Sequence, residues 1–94
     1  MGAALFEAVL SLRDVDEAEH FFRDLCTLRE LEEMTQRWAI ARLLADGRPY
    51  REIAERTHSS TATVTRIAQW LRHGAGGYEL ALDRLGFSDD GKER

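Results

Sequence analysis

An all-α fold of about six helices is the class this sequence predicts, and three observations predict it. Apolar residues recur three and four positions apart through most of the chain, the period of one helical face. Helix-start signals stand ahead of those apolar runs. No stretch alternates apolar and polar residues as a half-buried strand would. At 94 residues, 44% hydrophobic and 32% charged, the chain has the size and balance of one small globular domain.

The elements follow in order. Leu5, Phe6, Val9, Leu10 and Leu12 give the first segment its helical spacing. Asp14 with Glu17 three residues on forms a capping-box pattern, and Ala18, Phe21, Phe22 and Leu25 make one apolar face behind it. Thr27 and Glu30 repeat the start signal. The longest helix follows, with Leu28, Leu31, Met34, Trp38, Ala41 and Leu44 or Ala45 on its stripe. Gly47 is placed to end it, and Pro49 suits the first turn of the next helix. That helix, "YREIAERT", turns Ile53 and Ala54 inward. "HSS" is a turn, and Ser59 or Ser60 caps a fifth helix with Val64, Ile67 or Ala68, and Leu71 inward. "HGAGG" ends it, and "YELALDRLGF" forms a sixth helix whose Tyr78, Leu82 and Leu85 are spaced to pack.

The expected organisation is one helical domain over residues 1–86. Residues 1–47 supply core and dimerisation helices, 48–73 a helix-turn-helix, and 76–86 the last helix. Residues 87–94, containing "SDDGKER", are expected to fray. "MGAALFEAVLSL" lacks a basic start and is interrupted by Glu7, so it is not expected to be a signal peptide, and no apolar run suits a membrane span. A lone Cys26 fits a reducing cytoplasm, with no disulfide framework.

The helix-turn-helix carries the functional reading. In "PYREIAERTHSSTATVTRIAQWL", Ile53, Ala54, Val64 and Ile67 can fix two helices at one angle and leave the outer face of the second free to enter a DNA major groove. Threonine suits that face, because its hydroxyl can bond a base edge or phosphate and its methyl can meet a thymine methyl. Ser60, Thr61, Ala62, Thr63 and Thr65 are the candidate groove contacts, with Thr61, Ala62 and Thr63 nearest the bases and Thr65 as apt to meet backbone. Arg51, Arg56 and Arg66 are the candidate phosphate grips. Charge is distributed to match. Arg48 to His73 holds five arginines against Glu52 and Glu55, a formal +3, within a chain of net −4, which leaves −7 elsewhere.

"FFRDLCTLRELEEMTQRWAIARLL", "STATVTRIAQWL" and "GYELALDRL" together resemble the Trp repressor family, and most closely its YerC/YecD-type branch, over roughly Leu5 to Leu85. The resemblance implies an intertwined homodimer with two recognition helices, whose shared core would bury Phe21, Phe22, Leu25, Leu31, Trp38 and Ile40. It also implies a place for a tryptophan corepressor, with Thr27, Arg37 and Arg66 at matching positions. Each has an ordinary reading too: Thr27 as an N-cap, Arg37 paired to Glu33, Arg66 on a phosphate. Two departures stand out. Tryptophan-responsive members carry glycine directly after the "TR" and a small polar residue three positions later, where this chain has Ile67 and Trp70. Two large side chains there are expected to fill the vestigial pocket, so tryptophan is not expected to bind.

Other chemistry is not expected. His20, His58 and His73 lie far apart, Cys26 has no second thiol, and no nucleophile, base and oxyanion site come together, so neither a metal, a cofactor nor an enzyme is expected. The competing reading is a helical protein-interaction module, with Glu30, Glu32 and Glu33 on its exposed face. A DNA-binding remnant serving mainly as a dimer scaffold is a third.

Overall fold

A computed structural model describes residues 2–87 and contains six helices in chain order: α1 (Ala3–Leu10), α2 (Val15–Leu25), α3 (Leu28–Ala45), α4 (Tyr50–Thr57), α5 (Thr61–His73) and α6 (Gly77–Arg84). No strand occurs among the described residues. No described helix is long and apolar enough to cross a membrane, and no described cluster of histidine, cysteine and carboxylate side chains suits a metal ion.

The helix starts are built as local chemistry dictates. Asp14 accepts from the Glu17 N–H at 2.8 Å, and Glu17 returns an acceptor to the Arg13 N–H at 2.9 Å. Thr27 and Glu30 form the full reciprocal box: the Glu30 N–H donates to Thr27 Oγ1 at 3.0 Å and the Thr27 N–H to Glu30 Oε1 at 2.9 Å. Pro49 stands one residue earlier than expected, at the N-cap of α4 with φ −65°.

Three helix ends share one device. Gly47 takes φ 81°, its N–H donates to the Leu44 carbonyl at 3.0 Å, and the Arg48 N–H donates to the Leu43 carbonyl at 3.2 Å. That is the Schellman pattern, and only a residue without Cβ enters it without strain. The end of α6 repeats it through Gly86 and Phe87, whose N–H reaches the Leu82 carbonyl at 2.8 Å. The end of α4 repeats it with a residue that is not glycine: His58 sits at φ 56°, and the Ser59 N–H donates to the Ala54 carbonyl at 2.9 Å.

The chain divides into two compact units between Met34 and Thr35, inside α3. The first unit contains α1, α2 and the start of α3. Phe21 and Phe22 meet edge to face at 5.5 Å, yet neither α1 nor α2 has a buried residue. Leu10 and Val15 are each 83% exposed, and Leu28 67%.

The second unit holds the core. Ile40 and Ala41 of α3, Ile53 and Ala54 of α4, and Val64 and Ile67 of α5 form one buried cluster, with Trp38, Leu43, Leu44, Tyr50 and Tyr78 packed against it. Ala68 and Leu82 are also buried. Each fully buried Ile, Val or Leu contributes about 1.5–3 kcal/mol relative to exposure. The C-terminal half of α3 is therefore the floor of the helix-turn-helix. Trp38 stacks on Tyr78 at 6.5 Å, linking α3 to α6. Leu85, expected to pack, is exposed just past the end of α6. Phe87, placed in the fraying tail by the sequence, instead lies under the Arg42 guanidinium, 4.4 Å from the ring centroid. The remaining tail, 88–94, lies outside the described residues.

Candidate nucleic-acid interface

The turn and the start of α5 are held by their own polar side chains. Ser60, not Ser59, is the N-cap: its Oγ accepts from the Thr63 N–H at 3.1 Å and lies 3.1 Å from Thr63 Oγ1. Ser59 Oγ is 2.9 Å from Thr57 Oγ1, which donates back to the Ile53 carbonyl at 2.7 Å. Thr57 is thus spent inside the motif. From α3, Gln36 Nε2 donates to the Thr57 carbonyl at 3.0 Å and the His58 carbonyl at 3.4 Å. At the far end, Arg72 Nη2 reaches the Tyr50 hydroxyl at 3.4 Å.

With Val64, Ile67 and Ala68 buried, the helical repeat decides which residues face away from the core. Ala62, Thr65 and Arg66 are exposed on that outer face. The same face continues through Gln69, Trp70 and His73, and together these six residues line a shallow surface depression of about 410 Å³. Thr61 is exposed at the first turn. Thr63, which the sequence placed among the base-facing residues, is half-buried on the flank with its hydroxyl drawn to Ser60. Gln69 joins the outer face unannounced. It lies seven residues after Ala62, two helical turns on, and that spacing was the available signal.

The three phosphate-gripping candidates separate. Arg51 and Arg66 are both exposed. Arg56 lies about 140° around α4 from Arg51, by the 3.6-residue repeat. It donates to Glu52 Oε2 at 3.1 Å, and Arg48 approaches the same carboxylate at 3.8 Å. Arg56 lines a different cavity, of about 600 Å³, together with Arg42, Arg48, Thr57 and Phe87.

The vestigial-pocket residues fall in both units. Thr27 belongs to the first unit, its hydroxyl engaged as an N-cap. Arg37 is exposed and acts electrostatically on Tyr78. Burial pushes the Tyr78 hydroxyl above its ordinary range, and the Arg37 charge pulls it partly back. Ile67 is 4% exposed and occupies core volume. Trp70 does not fill this chain's own core: it is 59% exposed on the outer face of α5. The reason is register. Three residues beyond Ile67, the helix has turned Trp70 to the side away from Val64 and Ala68.

Residues 3–86 match the Trp repressor protein family. The chain belongs to the Trp repressor family. It is 44% identical over 81 residues to the uncharacterized protein YerC of Bacillus subtilis, covering 86% of this chain and 78% of that one. It is also similar to the crystal structure of a TrpR-like protein from Eubacterium eligens, with a TM-score of 0.85, 44% identity, and coverage of 93% of this chain and 90% of that one. Within the family the chain is of the YerC type. Trp repressor family proteins are DNA-binding regulators and not enzymes.

Proposed function

We propose that this protein is a cytoplasmic, homodimeric transcriptional regulator that reads duplex DNA with the N-terminal end of α5 and does so without tryptophan. One observation carries the reading: Ala62, Thr65 and Arg66 stand exposed on a helix whose opposite side, Val64, Ile67 and Ala68, is buried and whose start is fixed by Ser60. A helix held by its back and capped at its tip offers N–H groups and a guanidinium to phosphate, and a methyl and a hydroxyl to base edges. Thr61 and Thr63 flank the tip, and Arg51 and Arg66 grip backbone.

A second copy is the partner best suited to the first unit, which leaves Leu10, Val15 and Leu28 in solvent and buries no residue of α1 or α2. So small an assembly of helices gains its stability by covering such surface. Two copies present two α5 helices to half-sites about 34–36 Å apart. Ile67 supports independence from tryptophan, since it already fills core volume beside Val64.

The first unit also favours a second reading. Residues 1–34 carry nine carboxylates against three arginines, a surface suited to a protein-interaction module. Selection of duplexes from genomic fragments separates the two. A DNA reader enriches a palindromic site and loses affinity as salt rises. A protein-interaction module enriches no sequence even at low salt.

A further inference from the structure

We infer that Gln36, on α3 and outside the helix-turn-helix, is a positioning residue that sets the angle at which α5 meets DNA; this rests on the DNA-reading function proposed above. The hinge between α4 and α5 is a single left-handed residue, His58, with φ 56° and ψ 46°. A non-glycine residue does not hold that conformation for its own sake. The two peptide planes that define it end in the carbonyls of Thr57 and His58. Gln36 Nε2 donates to both, at 3.0 and 3.4 Å. Pinning both planes pins φ and ψ of the residue between them.

The chemistry admits few substitutes. Both partners are carbonyl oxygens, so the group at position 36 must be a donor, which assigns the amide nitrogen and not its oxygen to this contact. The carbonyls lie at the C-terminal end of α4, where a carboxylate would be repelled. Gln36 is half-buried and sits one turn before Ile40, whose burial at 0% exposure anchors that stretch of α3 to the same core as α4 and α5. Gln36 therefore ties the hinge to the buried core that holds α3, α4 and α5. The leverage is large: a 20° swing at His58 displaces a residue about 8 Å along α5 by about 3 Å. That exceeds the tolerance of a hydrogen bond to a base edge. Phosphate contacts, which long arginines can follow, tolerate it better.

The test compares wild type, Gln36→Leu and Gln36→Lys on two duplexes, one selected by the wild type from a random pool and one scrambled. Binding is measured at one salt concentration and at a temperature where circular dichroism shows each protein fully helical. Gln36→Leu, without a donor, is expected to lose about tenfold in affinity for the selected duplex and to keep its affinity for the scrambled one. Gln36→Lys, which can donate to the same carbonyls, is expected to keep the wild-type ratio. An unchanged ratio in Gln36→Leu, or a parallel loss on both duplexes, overturns the inference. A wild type that selects no sequence overturns the DNA-reading function itself. Should Gln36→Leu not fold, proton exchange at the wild-type Gln36 side-chain amide decides. Slow exchange, slowed further by the selected duplex, supports the role, and exchange at the free-amide rate overturns it.

Discussion

Ser60 and Thr63 are joined twice at the start of α5, by the Thr63 N–H donating to Ser60 Oγ and by the hydroxyl pair, each at 3.1 Å. The cap satisfies one of the N–H groups that a helix start leaves without an intrahelical partner. Ser60→Ala is expected to cost about 1 kcal/mol of stability, and Ser60→Asp to retain most of it. Urea unfolding followed by circular dichroism measures both.

His58 closes α4 in a conformation that glycine adopts freely. Its side chain is exposed. His58→Gly is therefore expected to stabilise the protein by about 1 kcal/mol, because the strain it relieves outweighs the flexibility it adds to the unfolded chain. A rise in thermal midpoint of about 4–8 °C would follow for a domain of this size. A fall would mean that the left-handed turn is not the native one.

Arg66 and Arg56 should behave differently, although both are expected from the sequence to grip phosphate. Arg66 is exposed on the outer face of α5, whereas Arg56 is paired to Glu52 and lines a cavity with Arg42 and Phe87. Arg66→Ala is expected to lower the salt dependence of binding to the selected duplex by about one unit of slope. Arg56→Ala should leave it nearly unchanged. Titrations at several salt concentrations read the difference directly.

Tyr78 makes stability sensitive to alkali. Burial against Trp38 raises its folded-state pKa above the ordinary value near 10, the Arg37 charge only partly opposing this. The neutral phenol is the form the fold favours. Its contribution is present below pH 10, where the unfolded chain is also protonated, and is lost as pH rises through the raised folded value. Tyr78→Phe should flatten the fall in stability above pH 10 and leave the neutral-pH slope unchanged, as denaturant midpoints at a series of pH values would show.

The sequence made local features legible and long-range ones obscure. Asp14 with Glu17, Thr27 with Glu30, and Ser60 act over three residues, so the pattern that predicts them is the contact that forms. The buried face of α5 was equally plain, because Val64, Ile67 and Ala68 keep the helical repeat. The outer face is its complement: the same repeat puts Thr63 on the flank and Gln69 in line with Ala62 and Arg66. Gln36 was invisible, since its partner Thr57 is 21 residues away and nothing local marks the pairing. His58 was equally hidden, for lack of the glycine that usually signals a left-handed helix end. Leu85 misled because apolar character states a preference for burial but not which surface supplies it.

The most direct measurement is the affinity of Thr63→Glu for the duplex that wild type selects, taken with its helicity. Glutamate three residues after Ser60 completes a capping box, so the fold should be retained. The new carboxylate stands beside the tip of α5, where phosphates and base edges would lie. Loss of at least about tenfold in affinity with unchanged circular dichroism is the predicted result. Equal binding by wild type and Thr63→Glu would contradict the assignment of α5 as the helix that reads DNA.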